Sequence, residues 1–176
     1  FSFASGPTLT SGSSYSLAVW FKGSYVTAVY YSSGSSSQSW YARPSYTGVF
    51  SSGPYTSLYR YCQESIVYSI YCTVGSSSSP TPTVKPTSTP TPTPTATQTP
   101  SSPASSFGQT VKGSLSAGQP AGGMVSSRFV CSSGGVASSI SVYLKNPGGY
   151  SDTVKCAIYS ESSKMLVAST VEKTIS

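Results

Sequence analysis

The residues that enzymes use most often for catalysis are scarce in this chain. Histidine is absent, and the four acids are Glu64, Asp152, Glu161 and Glu172. Without an imidazole there is no base for a Ser-His-Asp triad and no histidine ligand for a metal. A glycosidase needs two carboxyls at a defined separation in a cleft, whereas Asp152 and Glu161 flank one predicted strand, where we expect both to be solvated. The sequence therefore predicts no catalytic residue, no metal site and no cofactor, and a protein that is not an enzyme.

The four cysteines, Cys62, Cys72, Cys131 and Cys156, form no C-x-x-C pair. In a chain of low charge that is rich in Ser and Thr, this pattern fits an oxidising compartment better than a metal site. It indicates two disulfides, with four buried free thiols as the alternative. A bond between Cys62 and Cys72 is disfavoured, because an extended strand from Ile66 to Cys72 spans about 20 Å and the chain before it reaches back at most about 14 Å.

Aromatic side chains are the other group that could bind a ligand, since they are 12% of the residues. Trp20, Trp40 and Tyr41 are our candidates for stacking on sugar rings or for lining an interface, where they offer a large contact area at low entropic cost. The alternative is that these residues pack in the core or at its rim.

Charged residues are only 8% of the chain, and the net charge of +6 comes from scattered lysines and arginines. No basic run could follow a phosphate backbone, so we expect no nucleic-acid partner. The longest apolar run, Leu17 to Phe21, is far shorter than the roughly 20 residues of a membrane helix, and we expect no membrane insertion. A surface solvated by Ser, Thr and Tyr hydroxyls is typical of a secreted or cell-surface protein.

A segment of low complexity, Ser76 to Ser106, separates residues 1–75 from residues 107–176, and it alternates proline with threonine. Proline fixes φ and removes a backbone donor, so repeated Thr-Pro steps favour an extended polyproline II conformation. At roughly 3.1 Å per residue, Pro80 to Pro103 would reach about 75 Å. Such tracts also accept O-linked sugars, and the alternative is an undecorated flexible tether. The candidate acceptors are Thr81, Thr83, Thr87, Thr89, Thr91, Thr93, Thr95, Thr97 and Thr99.

Both flanking segments show the period of two that predicts strands, without a helical stripe. In residues 1–75 we expect a hairpin of Tyr15 to Phe21 with Tyr25 to Tyr31, then strands at Ser39 to Arg43 and Ile66 to Val74. The strands expected in residues 107–176 are Phe107 to Leu115, Ser126 to Cys131, Ser138 to Leu144, Thr153 to Tyr159 and Met165 to Thr174.

Each segment is too small to bury much core alone, and the two read as halves of one β-sandwich. Residues 107–176 resemble the opening of the sandwich, the N-terminal half, and residues 1–75 its close, the C-terminal half. The order of the halves is therefore rotated by half a domain along the chain.

A family resemblance follows from this rotated order. It rests on Ser126 to Phe129, Val136 to Tyr143, Cys156 to Ser160, Leu166 to Ser169, Leu9 to Gly12, Tyr15 to Phe21, Val29 to Tyr31 and Tyr68 to Tyr71. In that order the chain resembles the jelly-roll modules repeated in secreted and cell-surface proteins of archaea and bacteria. The resemblance implies an all-β fold, an antiparallel jelly-roll β-sandwich in an extracellular protein, with no catalytic residues to carry over.

The resemblance also implies a disulfide pairing. In jelly-roll order the strand Ile66 to Val74 would lie between the strands that hold Cys131 and Cys156. Cys62 would then pair with Cys131, and Cys72 with Cys156.

Together these features predict a structural subunit or repeat of an extracellular filament that assembles head to tail through complementary sandwich halves. The alternative arrangement is that the two halves close on each other within one chain, since the linker is long enough. Its partners would be other copies of itself or adjacent repeats, together with glycans. One alternative is a carbohydrate-binding module tethered by the Thr/Pro linker to a secreted polysaccharide-degrading enzyme. Another is the repeat of an adhesin stalk.

Overall fold

The structure, a computed structural model, describes residues 1–23, 27–35, 38–42, 49–50, 60–75, 104–146 and 150–176, with only the backbone given for 60–64. Within these ranges the regular structure is all β-strand. The first segment contains β1 (Thr8–Leu9), β2 (Ser14–Phe21), β3 (Ala28–Ser33), β4 (Ser39–Ala42), β5 (Arg60–Glu64), β6 (Ile66–Tyr68) and β7 (Ile70–Gly75). The second contains β8 (Ser105–Gly108), β9 (Leu115–Gly118), β10 (Met124–Val130), β11 (Gly135–Val142), β12 (Leu144–Lys145), β13 (Asp152–Ser160), β14 (Leu166–Ser169) and β15 (Lys173–Ile175). The prediction of an all-β fold is confirmed.

The strands form three antiparallel sheets in the described part of the chain. The large sheet has the order β14-β13-β2-β10-β4-β5, with β15 added beside β13. The facing sheet has the order β1-β11-β7-β8. In the side sheet, β3 pairs with β6, β9 and β12. The predicted antiparallel pairing is therefore confirmed as well.

Strand β2 lies at the centre of the large sheet because both of its faces are apolar. Leu17, Val19 and Phe21 point to one side, and Ala18 and Trp20 point to the other, with none of the five more than 3% exposed. A strand of this kind is buried on both faces and needs a neighbour on each edge. Those neighbours are β10 and β13.

The main core lies between the large sheet and the other two sheets. Leu17, Val125 and Ile158 from the large sheet pack in one cluster with Ile70 and Ile140 from the facing sheet. This arrangement is sandwich-like. A smaller cluster covers the other side of the large sheet and contains Trp20, Trp40, Phe50, Met124 and Tyr159.

The two segments of the chain alternate in the sheets. Eight of the twelve strand ladders join a strand of residues 1–75 to a strand of residues 104–176. The facing sheet alternates at every step, since β1 and β7 come from the first segment and β11 and β8 from the second. Neither segment could build these sheets without the other.

The predicted hairpin is wrong. Strand β2 pairs with β10 and β13 in the large sheet, whereas β3 belongs to the side sheet. The period of two correctly predicts both strands, but β2 pairs with strands far away in sequence, and β3 joins a different sheet.

The predicted strand Ile66 to Val74 is interrupted at Ser69. Its first part, β6, pairs with β3, and its second part, β7, lies between β11 and β8. The expectation that it lies between the strands of Cys131 and Cys156 is therefore wrong. Those strands, β10 and β13, flank β2 instead.

The bounds of the second segment also shift. The predicted strand Phe107 to Leu115 is two strands, β8 and β9, and β8 begins at Ser105, inside the predicted linker. The predicted strand Met165 to Thr174 is likewise divided into β14 and β15.

Candidate functional site

An open cavity of about 430 Å³, here called the tyrosine cavity, is formed where the side sheet meets β4. Three tyrosines from three strands line it: Tyr31 on β3, Tyr41 on β4 and Tyr68 on β6. The remaining lining residues are Ser65, Ile66, Ala117, Gly118, Gln119 and Pro120. The cavity thus combines aromatic rings with amide and hydroxyl groups.

The strand registers hold the tyrosines in place. Tyr31 is directly opposite Tyr68 in the β3–β6 pair, and the two rings meet edge to face with centroids 6.3 Å apart. Tyr68 is 3% exposed, while Tyr31 and Tyr41 are half-buried. The buried ring of Tyr68 therefore forms part of the inner wall of the cavity. Tyr31 and Tyr41 are the tyrosines with exposed surface that a ligand could contact.

Gln119 supplies a fixed amide at the same cavity. Its backbone N–H donates to the Thr27 carbonyl at 2.9 Å, and its Nε2 donates to the Ala117 carbonyl at 3.0 Å. The side chain is almost fully buried. Aromatic faces beside a fixed polar group form the combination that binds small polar ligands such as sugars. Sequence reasoning found Tyr41 but missed Gln119, Tyr31 and Tyr68, because strands far apart in the chain bring them together.

Trp20 and Trp40, the other predicted stacking residues, are buried in the smaller core cluster at 3% and 4% exposure. The Nε1 of Trp20 donates to the Gly122 carbonyl at 3.1 Å, and the Nε1 of Trp40 donates to Ser16 Oγ at 3.5 Å. The structure does not place these indole rings on an open surface. They stabilise the large sheet.

The two acids of the second segment nearest each other in sequence lie at opposite ends of β13. Asp152 begins the strand and Glu161 follows its last residue, so they are roughly 30 Å apart. A glycosidase pair is separated by at most about 9.5 Å. No group of three His, Cys, Asp or Glu side chains is arranged for a metal ion in the described ranges.

Contrary to our expectation, neither acid is simply solvated. Asp152 is 6% exposed and accepts a hydrogen bond from the Gly23 N–H at 2.6 Å. Glu161 accepts from Ser16 Oγ and from Lys164 Nζ, the latter at 2.7 Å. The two carboxylates hold loops at the ends of β2 and β13. A second open cleft, of about 400 Å³, surrounds Glu161 and includes Arg128.

Cys72, Cys131 and Cys156 are free thiols in the structure, and all three are fully buried. Burial raises the pKa of each thiol. No disulfide joins these three cysteines in the structure, and the side chain of Cys62 lies outside the described residues.

The backbone registers nevertheless locate Cys62. One row of residues crosses the large sheet, and each residue in it is directly opposite the next: Cys62, Tyr41, Val125, Val19 and Cys156. This single row places Cys62 about 19 Å from Cys156.

The distance from Cys62 to Cys131 is larger still. Cys131 is six residues beyond Val125 along the direction of β10, and Cys62 is two strands to the side, so the two Cα atoms are more than roughly 20 Å apart. The limit for a disulfide is about 6.8 Å. The structure does not bring these two cysteines together. The threonines predicted to carry O-glycans, Thr81 to Thr99, fall outside the described residues.

No helix in the described part of the chain is long and apolar enough to cross a membrane. No family model, curated protein or solved structure matches this chain.

Proposed function

We propose that the chain is a structural module of an extracellular or cell-surface filament in which jelly-roll sandwiches are completed between neighbouring copies or repeats. The observation that carries this proposal is the alternation of the two segments in the sheets. A segment on its own would leave strand edges unpaired, and unpaired edges drive association. In the structure the two segments pair within one chain, and the same ladders would form if the partner segment came from the next copy.

The linker decides between these two arrangements. In the β7–β8 pair, Val74 is opposite Ser105, and such partners have Cα atoms about 5 Å apart. Within one chain, the residues between them must therefore return to their starting point. An extended Thr/Pro linker would instead separate its ends by about 75 Å. An extended linker, stiffened further by O-glycans, favours pairing with the next copy and a head-to-tail assembly that continues when the rotation does not close.

A matched pair of proteins tests this proposal. One is the native chain, and the other carries a Gly/Ser linker of the same length. A flexible linker of this size has an end-to-end distance of roughly 30 Å, so it permits closure within one chain at an effective concentration in the millimolar range. We expect the native chain to form polymers in electron micrographs and in light scattering, and the Gly/Ser variant to be monomeric. A native, glycosylated chain that remains monomeric at high concentration would overturn the proposal.

The tyrosine cavity favours a second candidate function, that of a carbohydrate-binding module. Tyr31 and Tyr41 offer ring faces, and Gln119 offers a fixed amide beside them. In titrations with soluble oligosaccharides, Tyr41→Ala should lose binding while Tyr150→Ala, a change at an exposed tyrosine elsewhere, should keep it. Equal binding by both variants, or no binding by the unaltered chain, would rule out this role for the cavity.

A further inference from the structure

Three buried thiols belong to the core cluster between the large and facing sheets. Cys72 is on β7 of the facing sheet, Cys156 is on β13 of the large sheet, and Cys131 directly follows β10. Each is fully buried. Cys72 belongs to the first segment of the chain and the other two to the second, so a bond from Cys72 to either would tie the segments together.

The registers show which partner lies nearer to Cys72 along the strands. Cys72 is opposite Phe107, and the ring of Phe107 packs against the ring of Tyr15 with centroids 6.2 Å apart. Tyr15 is opposite Phe129. Cys131 is two residues beyond Phe129, or about 7 Å along the strand direction.

Cys156 is further away by the same measure. It is opposite Val19, four residues from Tyr15 on β2, or about 13 Å along that strand. Measured along the strand direction, Cys72 is thus closer to Cys131 than to Cys156.

Two further observations support the proximity of Cys72 and Cys131. Cα atoms of β8 come within 8 Å of Cα atoms of β10, and those of β7 within 8 Å of those of β2, so the two sheets approach each other closely along these strands. The pKa of Cys72 is raised to about 12, first by burial and second by the negative charge of a Cys131 thiolate nearby.

We propose that Cys72 and Cys131 form a disulfide across the core that joins the two segments, and that Cys156 stays a thiol. The oxidant is a small-molecule or protein disulfide, RSSR. One thiolate attacks a sulfur of RSSR and releases one RSH, and the second thiolate attacks the mixed disulfide and releases another. The S–S bond of RSSR breaks, the Cys72 Sγ–Cys131 Sγ bond forms, and RSSR takes up the two electrons and two protons.

The bond forms while the chain folds. In the folded, reduced protein, burial raises the pKa of both thiols and leaves little thiolate to attack a disulfide. In the reduced protein Cys131 Sγ donates to the Ser133 carbonyl at 3.1 Å. Formation of the disulfide removes the thiol proton and replaces this hydrogen bond.

This inference does not rest on the filament proposal, because Cys72 and Cys131 belong to the same core cluster whether the segments come from one chain or from two. Separate measurements test the disulfide and the filament. Peptide mapping identifies the bonded cysteines, and a non-reducing denaturing gel shows whether the bond joins separate chains. Linked chains would appear as a ladder, and bonds within one chain as a single band.

The mapping uses the full chain, folded in the presence of oxidised glutathione, alkylated, and digested without reduction. Trypsin leaves Cys62 and Cys72 in one peptide, whereas chymotrypsin can cut after Tyr68 and Tyr71 between them. We expect one linked pair that contains Cys72 and Cys131, and Cys156 alkylated only after unfolding. Four alkylated cysteines, or a link from Cys72 or Cys131 to Cys62 or Cys156, would overturn the inference.

Single variants provide the matched control. Reductant should lower the urea midpoint of the unaltered chain and of Cys156→Ser. It should leave the midpoints of Cys72→Ser and Cys131→Ser unchanged. If Cys156→Ser fails to fold, the mapping result alone decides. A midpoint of the unaltered chain that does not respond to reductant would contradict the bond.

Discussion

At the scale of single residues, burial separates the aromatic side chains into two groups. Trp20 packs against Phe50 with ring centroids 5.1 Å apart in the smaller core cluster, whereas Tyr31 and Tyr41 face the tyrosine cavity. The sequence placed Trp20 and Tyr41 in the same class of candidates, because composition does not report which face of a strand is covered.

Trp20→Ala should destabilise the protein by about 3 to 5 kcal/mol, the usual cost of removing a buried indole and leaving a cavity. Urea unfolding measures this change. Tyr150→Ala is the control, since Tyr150 is 61% exposed and surface changes usually stay within about 0.5 kcal/mol. Equal stability of the two variants would mean that Trp20 is not part of the core.

A single residue, Tyr159, also makes the stability of the fold depend on pH. Burial raises the pKa of the Tyr159 phenol above its ordinary value near 10. Above about pH 10 the unfolded chain loses this proton and the folded chain keeps it, so the folded state binds more protons and its stability falls as pH rises. The contribution approaches about 1.4 kcal/mol per pH unit.

Tyr159→Phe should therefore show a shallower loss of stability than the unaltered chain between about pH 10 and pH 11. Urea unfolding under reducing conditions keeps the thiols identical in both proteins. Tyr150→Phe, at an exposed position, should retain the original slope. If Tyr159→Phe has the same slope, the phenol does not stay protonated in the folded state.

At the scale of elements, close backbone approaches fix the strand pairs. Gly135 begins β11 with φ +151°, and a Cβ there would collide with the Gly75 carbonyl and lie 3.0 Å from Val74 Cγ1. At Gly75, across the same β7–β11 pair, a Cβ would have ordinary contact with the Val136 carbonyl at 3.7 Å. The two glycines of this strand pair thus differ in whether they tolerate an added Cβ atom.

Gly135→Ala should lower the free energy of unfolding by about 1 to 3 kcal/mol, because the alanine must adopt a strained backbone or displace β7. Gly75→Ala should be neutral or stabilising by up to about 1 kcal/mol, since it restricts the unfolded chain. Thermal or urea unfolding of the two variants side by side checks this. Similar losses at both positions would show that the approach of β7 to β11 is looser than described.

At the scale of the whole molecule, the interleaving of the segments means that the linker is not needed to hold the fold together. A chain cut by a protease within residues 76–103, with its thiols reduced, should keep both fragments associated in size-exclusion chromatography. Its unfolding midpoint should then depend on protein concentration, because folding has become an association. Separation of the fragments under native conditions would contradict the alternating sheets.

Periodicity in the sequence determined that the described part of the chain is all-β and where most of its strands lie. Alternating apolar residues, as in Leu17, Val19 and Phe21, report a strand that buries a face wherever that strand sits in the fold. Composition set apart the Thr/Pro segment for a similar reason, since the effect of proline on φ is local. Both properties are local, so they do not depend on which other strand the residues pair with.

Only the tertiary structure decided which strands pair. The pattern of β2 cannot distinguish a hairpin with β3 from pairing with β10 and β13, because the apolar face is the same in both cases. The tyrosine cavity and the neighbours of Cys72 depend on contacts between residues far apart in the chain. The break at Ser69 likewise follows from the different sheets that β6 and β7 join, and local sequence carries no record of that choice.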